Sequence, residues 1–390
     1  MTINNEHKKL NVPNLRFKEF QGEWEKCRLE DLTAKVGSGS TPKGGNAVYT
    51  SAGHCFVRSQ NVGMGYLILD DVAHINDGIH QKHKATELKE DDVLLNITGA
   101  SIGRTAIATK EIEGGNVNQH VCIIRANTKV SPKFLCDYIQ TKKIQNYIQS
   151  LQTGGSREGL NFEQIRSFPI SLPNIAEQNN IAQLLDKLNE RIATQNKIIE
   201  DLNKLKYAIS KKLLYNDKWT TYKIQDIAEI GRGRVISSVE IDRQKHPLYP
   251  VYSSQTSNNG IMGYLDNYMF DGEYITWTTD GANAGTVFYR KGKFNCTNVC
   301  GTLKILPKFD CYFVSLVLQQ ATQKYVSSNL ANPKLMNNTM ASIKIRMPNI
   351  ETQKQLSKVF QTLDSCLLVH QRTCKMYLSE KQYLLRQMFI

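Results

Sequence analysis

The chain of 390 residues contains no run of 18 consecutive apolar residues, so it offers no segment that could cross a membrane as a helix. Its nine cysteines are scattered and include no Cys-x-x-Cys pair, which favours reduced thiols over a disulfide framework. The first ten residues, Met1–Leu10, are polar and lack the apolar core of a secretory signal. From these absences we expect a cytoplasmic protein.

Motifs that would carry catalysis are also missing. There is no Pro-Pro pair, hence no Asn-Pro-Pro-Tyr element of an amino-methyltransferase, and there is no Gly-x-x-x-x-Gly-Lys phosphate loop and no His-Glu-x-x-His zinc motif. Cys296, Cys300 and Cys311 lack a fourth ligand at zinc spacing, and His80 and His83 have no obvious carboxylate partner. We therefore expect a chain that is not an enzyme and binds neither a cofactor nor a metal.

Basic residues outnumber acidic residues. The 49 Lys and Arg against 36 Asp and Glu give a net charge of +13. Such an excess favours a polyanionic partner, nucleic acid or an anionic lipid surface, although simple solubility is an alternative explanation. With 41% hydrophobic and 22% charged residues the composition is globular, and the length predicts two or three domains.

The sequence contains one pattern twice, and the spacing between the copies is informative. The matching residues are Trp24 with Trp219, Asp31 with Asp226, Gly37 and Gly39 with Gly231 and Gly233, Gly99 and Gly103 with Gly281 and Gly285, Pro173 with Pro348, and Gln178 with Gln353. The offset falls from 195 residues at the tryptophans to 175 at the prolines and stays at 175 to the end. We interpret the Gly37/Gly39 pair as a turn, and we expect Gly99, Gly103, Gly281 and Gly285 to shape turns as well.

Each copy ends in a long helical pattern. Apolar residues alternate at spacings of four and three over 181–213 and again over 356–388, as in the seam of a coiled coil. Two seam positions are polar in each copy: Gln195 and Lys206 in the first, His370 and Lys381 in the second. Polar residues at seam positions determine the register in which two helices pair and which helix is the partner. Alternatively, Lys206 and Lys381 extend to solvent at frayed helix ends. Helices this long with so narrow a stripe need a partner, and each helix has the other one.

The segments before the helices, about 15–170 and 217–346, carry most glycines and short strand-like runs such as Val93–Ile97 and Tyr274–Thr278. Each predicts a mixed α+β globule, so the order along the chain is globule, helix, globule, helix. Two similar units with matching seams should pair about a pseudo-two-fold axis.

Loops in both globules are crowded with side chains that suit phosphates and base edges, since Arg recognises guanine and Asn or Gln recognises adenine. An ordinary polar loop is the alternative for any one of them. The candidate DNA contacts of the first globule are Ser38, Ser40, Thr41, Lys43, Arg58, Ser59, Gln60, Asn61, Arg104, Asn118, Gln119, His120, Ser156 and Arg157. Those of the second are Arg232, Arg234, Ser253, Ser254, Gln255, Thr279, Asp280, Asn283, Asn298, Asn332 and Lys334.

These features resemble the specificity subunit of type I restriction-modification enzymes, over essentially the whole chain. The strings that carry the resemblance are Val12–Trp24, Asp92–Gly103, Asn118–His120, Leu172–Gln178, Tyr249–Ser254, Asn259–Ile261, Asp280–Gly285 and Leu384–Phe389. Two departures exist. Thr352 stands where the first copy has Glu177, and the second copy lacks the Arg-Phe-x-x-Phe run, Arg16–Phe20, before its tryptophan.

The resemblance implies a fold and a set of partners. It implies two α+β target-recognition domains separated by two long antiparallel helices that form a coiled coil. The expected boundaries are 1–174 and 216–348 for the domains and 175–215 and 349–390 for the helices. Two modification subunits would carry S-adenosylmethionine and methylate adenine, and restriction subunits would use ATP and Mg to translocate and cut.

We therefore expect a non-catalytic protein that reads an asymmetric, bipartite target in double-stranded DNA, one half-site per globule, across a gap set by the helices. Lys and Arg contacts to the backbone would make binding salt-dependent. The alternative is a non-catalytic coiled-coil scaffold that binds proteins. Such a scaffold would explain the repeat, but it would not explain the excess of basic residues or the polar loops. A self-contained methyltransferase would need a cofactor motif that the sequence lacks.

Overall fold

The computed structural model describes residues 10–152, 159–327 and 332–390. The chain divides into two compact units: the first comprises the described residues up to Lys197 together with Gln371–Ile390, and the second those of Ile198–His370. Each long helix therefore contributes to both units. In the described parts of the chain, no helix is both long and apolar enough to cross a membrane. The four boundaries expected from the sequence stay a prediction.

The first unit is built on short strands and helices. Its strands are β1 Glu25–Arg28, β2 Thr33–Ser38, β3 His54–Val57, β4 Ala73–Ile75, β5 Val93–Asn96, β6 Thr105–Ile107, β7 Asn116–Val117, β8 Val121–Ala126 and β9 Pro169–Leu172. Its helices are α1 Asp77–Lys82, α2 Pro132–Gln140, α3 Lys142–Ser150, α4 Phe162–Arg166 and the long α5 Ile175–Leu213. The strands pair in the orders β1-β9, β2-β8-β5-β6 and β4-β3-β7.

The second unit repeats this plan. Its strands are β10 Thr220–Lys223, β11 Ala228–Arg232, β12 Tyr249–Tyr252, β13 Ile261–Leu265, β14 Glu273–Thr278, β15 Val287–Lys291, β16 Asn295–Cys296, β17 Cys300–Ile305 and β18 Lys344–Met347. Its helices are α6 Ser238–Asp242, α7 Cys311–Ala321, α8 Asn337–Ser342 and the long α9 Ile350–Gln387. The pairing orders β10-β18, β11-β17-β14-β15 and β13-β12-β16 match those of the first unit strand for strand. The repeat in the sequence is therefore a repeat of topology.

The repeated Pro-Asn-Ile string sets the start of each long helix. The side chain of Asn174 accepts a hydrogen bond from the Glu177 amide, and that of Asn349 accepts one from the Thr352 amide, both at 3.0 Å, so each asparagine caps its helix. The side chains of the repeated glutamines, Gln178 and Gln353, each donate a hydrogen bond to the carbonyl of the proline five residues earlier. Each glutamine also accepts a hydrogen bond from the backbone amide of the residue that precedes a short helix, Ser131 before α2 and Asp310 before α7. Equal residues thus make equal contacts in both units.

The two long helices pair antiparallel, as the family resemblance implied. In the first unit Asn196 of α5 accepts a hydrogen bond from the Cys374 thiol of α9, and Arg191 lies over the ring of Tyr377. In the second unit Lys206 of α5 binds Asp364 of α9. All seam positions are buried or half-buried except the last one of α5, Leu213, which is exposed. The next residue, Leu214, is buried instead. The seam prediction is confirmed apart from that final residue.

Each unit has its own apolar core, to which a long helix contributes. The first core joins Phe134 of α2 to Met388 and Phe389, which directly follow α9, and the centres of the two phenylalanine rings are 5.2 Å apart. The second core surrounds Trp277 of β14, which is fully buried and donates its indole N–H to the Leu335 carbonyl. In each unit a sheet is thus packed against helices.

Candidate nucleic-acid interface

In the first unit, three loops meet at the ends of neighbouring strands. The amide of Ile97, just after β5, donates to the carbonyl of His120 at 3.0 Å, and the amide of Asn118, just after β7, donates to the Val57 carbonyl at the end of β3. The side chain of Asn96 donates to the Ser59 carbonyl at 2.8 Å. These backbone contacts bring the predicted segments 58–61, 97–104 and 118–120 side by side.

Glycines shape the loops after the central strands of both units. Gly99 and Gly103 have φ values of +67° and +84°, and Gly281 and Gly285 have values of +94° and +82°. Backbone in this region favours glycine because a Cβ is strained there. The prediction that these four residues form turns is confirmed.

The Gly37/Gly39 pair is a different case, and the predicted turn there was wrong. Gly37 lies inside β2, and Gly39 follows the strand directly. A Cβ on Gly39 would overlap the carbonyl oxygen of Val117, and a Cβ on Gly233 would overlap that of Cys296 in the second unit. Both glycines are therefore needed for a close approach of two backbone segments.

A chain of hydrogen bonds crosses the surface of the first unit. Thr41 donates to the side-chain oxygen of Gln119, whose amide nitrogen donates to Nε2 of His120 at 3.3 Å. The Nδ1 of that ring lies 2.6 Å from the Thr98 hydroxyl. His120 and Thr98, with Gln60 and the exposed Arg104, line an open depression of about 410 Å³. Four predicted residues line this depression: Ser59, Gln60, Arg104 and His120.

Other predicted residues of the first unit are engaged in internal contacts. Asn61 is fully buried, accepts from the Arg58 amide and donates to the Ile68 carbonyl. Asn118 is 7% exposed and accepts from the amide of His120. These asparagines support the loops that carry their neighbours.

The remaining predicted positions of the first unit are scattered. The guanidinium of Arg58 lies 5.7 Å from the centre of the Tyr49 ring, and the Ser40 hydroxyl lies 3.1 Å from His83. Ser38 is half-buried in β2 and Lys43 is exposed. Ser156 and Arg157 lie outside the residues that the structure describes.

In the second unit the same strand ends carry a charged cluster. Arg232 donates to the Thr279 hydroxyl at 2.7 Å, to the Asp280 carboxylate at 3.2 Å and to the Asn298 carbonyl at 2.5 Å. The ammonium of Lys334 lies 3.8 Å from the other oxygen of Asp280. The structure thus brings together five predicted residues from four separate segments of the chain. Asp280 occupies the place that Thr98 has in the first unit, immediately before the turn-forming glycine.

A second group lies on the loop after β12. The Asn283 side chain donates to the Ser254 carbonyl at 3.3 Å, and the Gln255 side chain donates to the Ile261 carbonyl. Ser253 donates its amide to the Gly260 carbonyl. Gln255 and Asn283 therefore use their amide groups within the loop.

Arg234 and Asn332 complete the predicted set. Arg234 binds both oxygens of Glu240, and this hydrogen bonding raises the pKa of the arginine and lowers the pKa of the glutamate. Asn332 is exposed and lies beside the Gly281 turn. The Arg234 guanidinium is therefore already engaged by a carboxylate of the same unit.

Two polar side chains that line the depression of the first unit, Thr98 and Ser101, were not predicted from the sequence. The signal was present, because Thr98 aligns with Asp280, which was predicted from the second copy. In the described residues no group of three or more His, Cys, Asp or Glu side chains is arranged to hold a metal ion.

Comparisons with known proteins identify the class. Residues 21–204 and 216–375 match the family model described as the type I restriction modification DNA specificity domain. Because the match covers most of the chain, the protein belongs to the type I restriction-modification specificity family. The family and the fold class predicted from the sequence are confirmed.

Relatives with known names and structures agree with this assignment. A putative type I specificity subunit from Mycoplasma pneumoniae is 37% identical over 203 residues, which is 49% of this chain and 81% of the relative. A second one from the same organism is 35% identical over 212 residues, covering 51% and 76%. The crystal structure of a type I restriction-modification S subunit from M. genitalium superposes with a TM-score of 0.71 at 16% identity, over 97% of this chain and 99% of that one. The last comparison shows the shared fold.

Proposed function

We propose that this chain reads an asymmetric, bipartite target in double-stranded DNA, with one half-site for each unit. The observation that carries the proposal is that one backbone plan presents different side chains. At matching strand ends the first unit offers Thr98 beside a histidine, and the second offers Asp280 between an arginine and a lysine. Donor and acceptor patterns that differ in this way suit different base edges in the major groove.

Electrostatics supports DNA as the ligand. The net charge of +13 favours contact with phosphates, and Lys43 and Arg104 are exposed on the first unit. We propose that such exposed cations bind phosphates and bases, and that Asn61 and Asn118 act by holding the loops. For every residue predicted from the sequence, contact with DNA stays a prediction. Binding should weaken steeply as salt is added.

The long helices would set the gap between half-sites and offer a surface to other subunits. Several large apolar side chains on them are exposed, among them Tyr207 at 71%, Val369 at 59% and Met376 at 69%. We propose that such side chains take part in the contacts with the other subunits. A chain of similar fold, with a TM-score of 0.51 and 14% identity over 93% of this chain, comes from a structural study of complex assembly in the type I restriction-modification system.

We accordingly propose that two modification subunits and the restriction subunits dock on this chain in the cytoplasm. The chain itself would be non-catalytic and hold no cofactor. S-adenosylmethionine would belong to the modification subunits, and ATP and Mg would belong to the restriction subunits. A protein-binding scaffold without DNA contact is the rival function, and it is disfavoured because the family is that of DNA specificity domains.

Exchange of one unit tests the proposal. Replacing residues 217–346 with those of a relative should change one half-site of the methylated sequence and leave the other intact, as methylome sequencing of a host that also expresses the modification subunit would show. A change in both half-sites would contradict independent reading. Absence of any site-specific methylation in the unaltered complex would contradict the proposed function.

Insertion into the helix tests the gap. Four extra residues near Thr194 add about 6 Å of helix, which should lengthen the unread gap by about one or two base pairs. Both half-sites should stay unchanged in the same methylome experiment. An unchanged gap would contradict the spacing role.

A further inference from the structure

Arg290 of β15 is a buried cation in the second unit. It is 3% exposed, and in the part of the chain that the structure describes it forms no ion pair with a carboxylate. The centre of its guanidinium lies 3.6 Å from the centre of the Tyr252 ring and 4.4 Å from that of the Phe288 ring. Its Nε donates to the Thr276 hydroxyl at 3.1 Å. Arginine stays charged in proteins, so the cost of burying this charge is not avoided by loss of a proton.

The first unit manages without such a charge. The register of β5 with β6 and of β14 with β15 places Ala108 where the second unit has Arg290. Ala108 is fully buried in an apolar core that includes Leu94 and Ile123. The shared fold therefore does not require a cation at this place, and an apolar side chain is the less costly way to fill it.

The guanidinium lies next to the loop that follows β12. A Cβ built on Gly260 would come within 3.1 Å of Nη2 of Arg290 and within 3.3 Å of the Gln255 carbonyl oxygen. The loop is closed by the Ser253 amide, which donates to the Gly260 carbonyl at 2.9 Å, and by the Gln255 side chain, which donates to the Ile261 carbonyl. Arg290 thus occupies the space directly inside the turn of this loop.

The backbone of the turn is unusual. Asn258, Asn259 and Gly260 have φ values of +48°, +53° and +81°. Consecutive residues in the left-handed region persist only where their surroundings hold them there. Residues 253–255, which were predicted as DNA contacts, lie on the same loop. Their position therefore depends on whatever holds the turn.

The first unit holds its matching loop in another way. The Ser-Gln string at 59–60, after β3, corresponds to the Ser-Gln string at 254–255, after β12. In the first unit the fully buried Asn96 of β5 donates to the Ser59 carbonyl at 2.8 Å. Thr278 stands at the place of Asn96 in the second unit, and its buried hydroxyl has no hydrogen-bond partner among the described residues. The second unit therefore lacks the side chain by which the first sheet holds its loop.

Two side chains hold the loop of the second unit instead. Asn283 donates to the Ser254 carbonyl at 3.3 Å, and Arg290 lies against the turn. Asn283 itself belongs to a loop, whereas Arg290 belongs to a strand and is fixed by Thr276 and by the Tyr252 ring. A side chain locked on a sheet places its neighbours more accurately than one on a loop.

We propose that Arg290 is a positioning residue for the second half-site, which holds the loop 253–260 in the geometry that discriminates bases. The proposal rests on the proposed function in one respect, since that loop is taken to contact DNA. Arg290 is too buried to contact DNA directly, so it acts through the loop. A planar guanidinium suits this role because it stacks on Tyr252 while its N–H groups point to other neighbours, which a lysine cannot do.

Methylome sequencing of a host that also expresses the modification subunit tests the proposal. Arg290→Met keeps an apolar stem, as the first unit does at this place, and should keep the fold. Its discrimination against wrong bases in the second half-site should fall about tenfold, while the first half-site and the gap stay unchanged. Arg290→Lys should relax the same half-site because it loses the stacking. The matched control is Lys291→Met, the exposed next residue of β15, which should read both half-sites as the wild type does.

Hydrogen exchange of the free full-length chain gives a second readout that needs neither DNA nor a partner. In Arg290→Met the protection of the Ser253 amide, which closes the loop, should fall about tenfold. The protection of β14 should stay as in the wild type. This pattern distinguishes a loosened loop from a destabilised unit.

Wild-type reading of the second half-site by both Arg290 variants would overturn the proposal. So would a loss of protection throughout the second unit with unchanged base preference at the sites still methylated, because the arginine would then only stabilise the fold. Full reading by Arg290→Lys but not by Arg290→Met would also overturn it, since charge alone would then be sufficient. Failure of the proposed function is a separate result, because the wild-type complex would then methylate no specific sequence.

Discussion

In the first unit Glu177, at the start of α5, is fully buried and binds both ends of the Arg16 guanidinium at 2.7 and 2.8 Å. The indole of Trp24 donates to the same carboxylate at 3.3 Å. The second unit has Thr352 at this place and no counterpart of the Arg16–Phe20 run. The two departures of the second copy from the first therefore have one cause. The second copy lacks both residues of the ion pair that Arg16 and Glu177 form in the first unit.

A similar contrast separates the seam lysines. Lys381 is 8% exposed and contacts Gln140, which in turn binds the buried Asp137 of the first unit, whereas Lys206 is paired with Asp364 from the opposite helix. The contacts that both units share are the asparagine caps, the glutamines that follow them and the close approach at Gly39 and Gly233. The shared contacts therefore define the fold, whereas the partners of the charged side chains differ between the two units.

Loss of a contact that both units share should cost the most stability. Gly39→Ala places a Cβ on the Val117 carbonyl, so we expect the first unit to lose more than about 3 kcal/mol of stability. Gly37→Ala, two residues earlier in the chain, meets nothing within 4 Å and should cost less than about 1 kcal/mol. Hydrogen exchange measured by mass spectrometry resolves the two units separately. Equal protection of β2 in both variants would contradict the close approach.

The next effect concerns the ion pair that only the first unit has. Arg16→Ala leaves the fully buried Glu177 carboxylate without its cation, which should cost about 3 kcal/mol. The double variant Arg16→Ala with Glu177→Thr copies the second unit and should recover most of the loss. Urea unfolding of the two single variants and the double variant gives the coupling energy. A double variant that is less stable than Arg16→Ala would show that the pair is not what distinguishes the units.

Much of the fold could be predicted from the sequence because it rests on periodicity and repetition. The spacing of four and three from Ile181 onward located both seams, and the matching glycines located the turns. The Gly37/Gly39 pair was misinterpreted because sequence shows that a Cβ is absent but not why. Only the structure shows the Val117 backbone occupying that space.

The candidate site was predictable at the level of loops and not of individual side chains. Five predicted residues from four segments of the second unit do form one cluster around Arg232 and Asp280. Sequence could not show that Asn61 and Asn118 are used internally, because their partners are backbone groups selected by the local turn. Nor could it show that Asp137 is buried, since an acid in a short helix normally faces solvent.

The smallest effect is a pH dependence confined to the first unit. Burial raises the pKa of Asp137 to about 7, against an ordinary value of 3.8, while Lys381 opposes the rise. Asp186 adds to the rise, and Lys133 and the Gln140 hydrogen bond oppose it. As pH increases from about 4 to about 7, the unfolded chain releases this proton before the folded chain does. The free energy of unfolding of the first unit therefore decreases as the pH increases through this window. Above about pH 7 this group causes no further change.

Between pH 5.5 and 7 the loss should be about 2 kcal/mol in the wild-type protein, and Asp137→Asn should remove that slope. Asp186→Asn is the matched control, because this half-exposed carboxylate adds less to the rise of the Asp137 pKa than burial does and should leave most of the slope in place. The measurement is urea unfolding at each pH with hydrogen exchange to assign the change to α2. The second unit, with Leu316 at this position, should show no slope of this origin. An unaltered slope in Asp137→Asn would mean that the buried acid is not what sets the two units apart in their response to pH.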